Sequence, residues 1–199
     1  MNEETRFDLR YKNGDIPWDI AKPDSNLIEI VRNTPIVKCK ALDIGCGTGD
    51  NAIWLAKSRF IVTGADTSEA AIRYAKEKAL ENGVRCDFIK SDFLEDDIEA
   101  KPFGFVFDRG CFHSFNTDTE RRKFAQNVAA VIEDGGLWLS LIGSADDPPR
   151  NSGPPQRSAG NIIKAVEQDF EILSLVSGHF DSNNPEHSRA WICLMRSRT

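Results

Sequence analysis

The chain has 199 residues, enough for one domain and too few for two ordinary ones. Asp and Glu number 31 against 25 Lys and Arg, which gives a formal net charge of −6 at pH 7. Nucleic-acid binding depends on basic surface, so this balance argues against a nucleic acid as partner. The longest apolar runs, such as Leu137–Ile142, have the length of a strand and are too short to span a membrane.

Cysteine usage and the first residues indicate the compartment. The cysteines are five, an odd number, and none forms a CxxC pair, so neither a disulfide framework nor a metal site is predicted. The first fifteen residues are charged throughout and lack the apolar core of a signal peptide. Reduced thiols and a cytoplasmic location are therefore expected.

Strands and helices alternate along the first two thirds of the chain. Near-continuous apolar strands separated by helices predict a parallel sheet that is covered on both faces. The predicted strands are Ala41–Gly45, Phe60–Asp66, Cys86–Lys90, Phe103–Asp108 and Leu137–Ile142, and the helices are Asn51–Arg59, Ser68–Asn82 and Asp118–Ile132, the last ended by a turn at Asp134-Gly135-Gly136.

The last third departs from this alternation. Ser144–Arg157 is rich in Pro, Gly and Asp and is predicted to be a loop. A helix over Ala159–Asp169 leads into a strand, Phe170–Val176, and a final strand, Arg189–Met195, follows a dozen residues later. That connection is too short for a crossover helix, so the two strands are predicted to form a hairpin with the last one antiparallel.

A glycine-rich turn follows the first strand. Its glycines, Gly45, Gly47 and Gly49, have the spacing GxGxG, and Asp50 takes the place of the last glycine in the dinucleotide-binding pattern GxGxxG. A nicotinamide dehydrogenase is therefore disfavoured. Asp43, two residues before the first glycine, suits a cationic ammonium group better than a pyrophosphate.

Four successive strands end in or near an aspartate: Asp43, Asp66, Asp92 and Asp108. The carboxyl ends of parallel strands form the edge where open α/β sheets bind ligands. There Asp66 could accept hydrogen bonds from both ribose hydroxyls, and Asp92 could accept one from an adenine amino group while Phe93 packs on the ring. The alternative is that Asp is simply common at strand ends and helix caps.

These features resemble the class I S-adenosylmethionine-dependent methyltransferases, over residues 36–143. The resemblance implies an α/β fold: a doubly wound, mostly parallel seven-stranded sheet of order 3-2-1-4-5-7-6, with the last strand antiparallel and helices on both faces. It implies S-adenosylmethionine as cofactor, with S-adenosylhomocysteine as product. The implied cofactor-binding residues are Trp18, Asp43, Gly45, Cys46, Gly47, Thr48, Gly49, Asn51, Asp66, Thr67, Asp92, Phe93 and Asp108.

Two further segments resemble the thiopurine and thiol methyltransferase group. One is Pro17-Trp18-Asp19 with Pro23 after it, where Ala21 stands in the place of the group's glycine. The other is Asp108-Arg109-Gly110, with Gly153-Pro154-Pro155 later in the chain. This resemblance implies that Arg109 lies near the acceptor.

Arg109 and His113 are the candidate catalytic residues. Arg109 could instead pair with a surface carboxylate. His113 could act as a base on a thiol or hydroxyl acceptor, since histidine titrates in the right range. The alternative for His113 is a solvated loop side chain without a role. A thiol acceptor would not require a base, because it already supplies some thiolate near neutral pH.

The sequence thus predicts one domain, 1–199: an N-terminal arm and helix (1–35), a cofactor-binding half (36–143), and a lid loop, helix and hairpin (144–199). The predicted function is methyl transfer by in-line displacement to a small molecule, with a thiol, a thiopurine or a metalloid as candidates. A non-catalytic binding module and a macromolecular acceptor are the alternatives. The single basic run, Arg121-Arg122-Lys123, reads as a solvated helix face. A monomer or homodimer is expected.

Overall fold

A computed structural model describes residues 6–148, 153–183 and 187–198. The helices are α1 (Arg6–Lys12), α2 (Ser25–Asn33), α3 (Asp50–Lys57), α4 (Glu69–Glu81), α5 (Asp118–Val131) and α6 (Ala159–Val166). The strands are β1 (Lys40–Ile44), β2 (Ile61–Asp66), β3 (Cys86–Lys90), β4 (Phe103–Arg109), β5 (Ile132–Gly143), β6 (Phe170–His179) and β7 (Arg189–Ser197).

The seven strands form one sheet of order β3-β2-β1-β4-β5-β7-β6. The first five strands are parallel to one another, and β7 lies between β5 and β6 and is antiparallel to both. The predicted fold class, strand order and terminal hairpin are confirmed. Because the strand order reverses between β1 and β4, the carboxyl ends of these two strands open on a crevice that can take a ligand.

Alternating side chains of the central strands feed two apolar clusters, one on each face of the sheet. On β4, Phe103 and Val106 belong to one cluster, and Phe105 and Phe107 belong to the other. Helices α5 and α6 cover the first face, and α2, α3 and α4 cover the second. A fully buried Phe contributes about 1.5–3 kcal/mol through the hydrophobic effect, so β4 is anchored from both sides.

Helix α4 shows how local sequence sets an element's ends. The Ser68 side chain accepts a hydrogen bond from the Ala71 N–H and caps the first turn. At the other end Gly83 has a φ of 66°, a left-handed conformation that ends helices readily. Both ends agree with the sequence-based prediction.

Strand β5 begins earlier than predicted. Ile132 already pairs with Phe103, and the register then shifts so that Phe105 pairs with Leu137. The residues between them, including Gly135 at φ 72°, form a bulge inside the strand. The predicted turn at Asp134-Gly135-Gly136 is therefore wrong. These residues belong to β5, which follows α5 directly.

The described part of the chain contains no helix that is both long and apolar enough to cross a lipid bilayer.

Candidate functional site

The glycine turn after β1 is closely covered. Gly47 and Gly49 have φ values of 54° and 87°, a region that side chains rarely adopt. A Cβ atom on Gly49 would lie 3.0 Å from that of Ala75, and one on Gly47 would lie 2.9 Å from the Tyr11 hydroxyl. The turn thus packs on α4 below and meets an aromatic side chain above.

A cleft of about 60 Å³ lies between this turn and the segment that joins α1 to α2. We call that segment, residues 13–24, the strap. Several predicted site residues line the cleft together with residues that were not predicted. The lining residues are Tyr11, Trp18, Asp19, Ile20, Lys22, Gly45, Cys46, Gly47, Thr48, Asp50, Asn51 and Arg109.

Asp43 lies beneath the turn and is 1% exposed. The backbone N–H of Ala52 in α3 lowers the pKa of this carboxyl, while Oδ2 has no hydrogen-bond partner among the described residues. Burial, then the charges of Asp108 and Asp66, raise the pKa of Asp43 well above its usual value. An unpaired buried carboxylate oxygen is costly, and a cationic ligand group would relieve that cost.

Asp66 joins the end of β2 to the glycine turn. Its Oδ2 accepts from the Gly47 N–H and its Oδ1 from the Ser68 N–H, both at 2.9 Å. Burial raises the pKa of Asp66, and the hydrogen bonds from Ser68 and Gly47 oppose that rise. With Thr67 next to it, Asp66 stands at the turn as predicted, and its contact with a ribose stays a prediction.

Asp108 lies at the end of β4 and is fully buried. Its Oδ1 accepts from the N–H groups of Cys111 and Phe112, and its Oδ2 accepts from the Trp138 indole at 3.0 Å. Burial raises its pKa to about 6, against these hydrogen bonds. These are the contacts of a structural carboxylate that turns the chain after β4, and its predicted contact with the cofactor stays untested.

Asp92 and Phe93 follow β3 but differ in environment. Asp92 is exposed, and its carboxylate accepts from the Leu94 N–H. Phe93 is 4% exposed and packs edge-on against Phe124, with 5.1 Å between ring centroids. Phe93 is therefore a core side chain, and packing of its ring on an adenine remains a prediction.

His113 is buried, so the alternative of a solvated side chain is wrong. Its Nδ1 accepts a hydrogen bond from the Gly143 N–H at 2.8 Å, so the neutral ring carries its proton on Nε2. Burial, then the charges of Arg157 and Arg109, lower its pKa to about 3. A ring in this state can donate a hydrogen bond but is a poor base at neutral pH, which opposes the predicted base role.

Arg109 is bound to other parts of the protein. Its Nε donates to Asp24 at 2.7 Å, and its terminal nitrogens donate to the carbonyl oxygens of Trp18 and Asp181 at 3.1 and 2.7 Å. The carboxylate partner considered in the sequence analysis exists, but Asp24 has a fully buried side chain and is not a surface residue.

Sequence reasoning did not predict Tyr11, Asp19 and Asp24 as site residues, although each is hydrogen-bonded to a predicted one. Tyr11 accepts a hydrogen bond from the Trp18 indole at 3.1 Å, and Asp19 accepts one from the Thr48 hydroxyl at 2.8 Å. Asp24 donates its N–H to the Asn51 side chain at 2.9 Å. These contacts join residues far apart in the sequence, and only the Pro-Trp pair before Asp19 marked this region.

The basic run on α5 was predicted to be a solvated face, and this is wrong for its first residue. Arg121 is 4% exposed and pairs with Asp118. Arg122 pairs with Asp169, and Lys123 with Glu95. In the described segments no group of three metal-ligating side chains is placed to hold a metal ion.

Comparisons with known proteins indicate the family of the chain. Residues 41–136 match the family described as a methyltransferase domain. A protein named probable thiol methyltransferase 2, from Arabidopsis thaliana, is 27% identical over 179 residues, covering 88% of this chain and 77% of the plant protein.

Two solved structures share the fold. One, from work on the conversion of a disulfide bond into a thioacetal group during echinomycin biosynthesis, has a TM-score of 0.84 and 24% identity, covering 96% of this chain and 90% of that one. The other, magnesium protoporphyrin IX methyltransferase from Synechocystis PCC 6803 with bound S-adenosylmethionine, has a TM-score of 0.68 and 17% identity, covering 100% and 87%.

The fold, the glycine turn and these matches define a class I S-adenosylmethionine-dependent methyltransferase, and the chain belongs to that class. Its reaction is methyl transfer from S-adenosylmethionine, the cofactor typical of the family. One of its relatives is named as a probable thiol methyltransferase.

Proposed function

We propose that this enzyme methylates a small thiol. The part of this proposal that concerns the cofactor rests on the unpaired, buried Oδ2 of Asp43 beneath the glycine turn, which a cationic ligand group would stabilise. The acceptor half of the proposal is supported by the thiol methyltransferase relative, which is similar over 88% of the chain. A small acceptor also fits a chain whose acceptor-facing parts are short loops.

The residues around the glycine turn fit the cofactor. Asp43 would hold the ammonium group of its methionine part, and the backbone N–H groups of the turn and of the α3 N-terminus would face its polar atoms. Asp66 would accept from the ribose hydroxyls, and Asp92 would face the adenine. When bound, S-adenosylmethionine supplies a methyl group on a sulfonium, a leaving group that needs no protonation.

The protein's task in such a reaction is to position the acceptor and exclude water. Trp18 and Tyr11 cover the cleft from the strap side and hydrogen-bond each other. A free thiol with a pKa of about 8.5 already provides some thiolate near neutral pH, so no dedicated base is required. The buried neutral state of His113 is consistent with a thiol acceptor on this ground.

Calorimetry with S-adenosylhomocysteine and with NAD tests the cofactor half. We expect S-adenosylhomocysteine alone to bind, and Asp66→Ala to weaken its binding by about 1–3 kcal/mol because charge-assisted hydrogen bonds are lost. Asp97→Ala is the matched control, since Asp97 is exposed and pairs only with Lys101 at the surface. Absence of binding by S-adenosylhomocysteine, or binding unchanged by Asp66→Ala, would overturn this assignment.

Turnover with a panel of thiols, thiopurines and metalloid oxyanions tests the acceptor half. Methylation of thiols at the highest kcat/KM is the expected result. Binding of S-adenosylhomocysteine without turnover of any acceptor would indicate a sensor of the cofactor instead. Turnover of the other acceptors but not of thiols would refute the thiol and keep the methyl transfer.

A further inference from the structure

We propose that Arg109 is a positioning residue, which latches the strap and the β6–β7 hairpin over the methyl-transfer site through the buried carboxylate of Asp24, and is not a ligand of the acceptor. This proposal rests on the proposed function only in naming the methyl-transfer site as what the latch covers. The latch itself is a property of the protein without ligands.

The first argument is how the guanidinium is used. Each of its three nitrogens donates to a different residue: Nε to Asp24, Nη1 to the Trp18 carbonyl and Nη2 to the Asp181 carbonyl. The group also lies 5.3 Å over the Phe180 ring. The side chain lines the cleft but is only 13% exposed, and three of its five N–H groups donate to acceptors of the protein.

The second argument is the burial of Asp24, whose side chain is 0% exposed. A buried carboxylate is stable only when it is paired and hydrogen-bonded. Asp24 meets both conditions. It forms an ion pair with Arg109, and it caps α2 by accepting a hydrogen bond from the Asn26 N–H at 3.0 Å. Loss of Arg109 would leave that charge unpaired where water cannot replace it.

The third argument is what the latch connects. Trp18 and Asp24 lie near the two ends of the part of the strap that crosses the cleft, and Asp181 lies in the hairpin loop after β6. The Asp181 carboxylate in turn accepts from the N–H and hydroxyl of Ser25 at 2.9 and 2.8 Å. Arg109 at the carboxyl end of β4 thereby ties the strap, which lines the cleft, and the hairpin loop beside the strap to the sheet.

An arginine that bound the acceptor would need donors facing the open cleft. In this structure the three guanidinium nitrogens donate to acceptors on the strap and on the hairpin loop. Lysine has a single nitrogen and cannot make these three hydrogen bonds in the same geometry. Arg109→Lys therefore keeps the charge and loses the carbonyl contacts, and Asp24→Asn keeps the volume and loses the ion pair. The latch predicts that both changes act on the same structure.

Hydrogen exchange of the protein without ligand tests the latch directly. Arg109→Lys and Asp24→Asn should each raise exchange at least tenfold in residues 16–26, and the double variant should raise it no further than the stronger single variant. Arg196→Gln is the matched control, because it removes an exposed Arg–Glu pair on β7 and should leave the strap unchanged. Unchanged exchange in Arg109→Lys, or additive effects in the double variant, would overturn the latch.

Kinetics with a thiol that the enzyme methylates separates positioning from acceptor binding. The latch predicts that Arg109→Lys and Asp24→Asn lower kcat by the same factor, about tenfold or more, with less than a twofold change in acceptor KM. A rise in acceptor KM with Arg109→Lys alone would overturn it. Ser25→Ala is a milder variant that removes one hydrogen bond between the first residue of α2 and the hairpin loop, and it should raise strap exchange less than Asp24→Asn does. The exchange result stands even if no thiol is turned over, so the two proposals fail separately.

Discussion

At the scale of the residue, burial gives His113 a pH-dependent effect on stability. Its pKa is about 3 in the folded protein and about 6.5 when unfolded, so below pH 6.5 the unfolded state binds a proton that the native state does not. Its contribution to stability is complete above pH 6.5 and is lost as the pH falls toward 3. The raised pKa values of Asp43 and Asp108 act in the opposite direction, so only a difference between variants isolates His113.

The variant is His113→Asn, whose side-chain oxygen can take the Gly143 N–H that Nδ1 takes now. Between pH 6 and pH 4 we expect the wild type to lose about 1.4 kcal/mol of unfolding free energy per pH unit relative to this variant. Urea unfolding at several pH values measures it. A difference that does not change with pH would mean that His113 titrates normally in the folded state.

The residue types at the site could be predicted, but their environments could not. Asp43, Asp66, Asp92 and Asp108 were grouped by their position at strand ends. In the structure their environments differ. Asp43 and Asp66 adjoin the glycine turn, Asp108 accepts hydrogen bonds from the backbone after β4, and Asp92 is exposed. Such differences arise from packing partners distant in sequence, here Trp138 for Asp108.

At the scale of the element, a buried carboxylate of α1 binds α4, next to the packing of Tyr11 against Ala70 and Ala71. Asp8 is 6% exposed and accepts from the Ser68 hydroxyl at 2.6 Å and the Ala70 N–H at 3.4 Å. It thus places a negative charge at the N-terminus of a helix of 13 residues, where the helix dipole favours it. Through Tyr11, α1 also covers the glycine turn.

Asp8→Ala should release α1 from α4. We expect a loss of about 1–3 kcal/mol of stability from the broken charge-assisted hydrogen bonds, with faster hydrogen exchange in residues 6–12. Asp15→Ala is the comparison, because Asp15 makes an exposed pair with Arg10 at 3.0 Å and should cost under about 1 kcal/mol. Equal losses from the two variants would show that α1 is not docked through Asp8.

Helices and strands were predictable where periodicity and caps were local, as for α4 between Ser68 and Gly83. The bulge in β5 was not, since a Gly-Gly pair reads equally as a turn until the pairing of Ile132 with Phe103 is known. The N-terminal arm and Trp18 were predicted, but the contact that anchors the strap was not. Its anchor joins Asp24 to Arg109, 85 residues apart, and no local pattern marks such a contact.

At the scale of the whole molecule, one sheet supports both apolar clusters. Trp138 is fully buried in the cluster under α5 and α6, and Trp54 packs partly buried against the opposite one. Neighbouring residues of β4 belong to different clusters. The packing on one face of the sheet therefore cannot be lost while the packing on the other face is kept. The predicted single domain should therefore unfold as one cooperative unit.

Urea unfolding followed by tryptophan fluorescence and by far-UV circular dichroism measures this cooperativity. Both signals should change at one midpoint, and S-adenosylhomocysteine at about 100 times its Kd should raise the unfolding free energy by about 2.7 kcal/mol in both. In the proposed site the ligand contacts residues near the glycine turn, but in a two-state protein its binding energy stabilises the α6–β7 part equally. Two midpoints, or stabilisation seen by one signal only, would divide the chain into a cofactor-binding half and an independently folding C-terminal part.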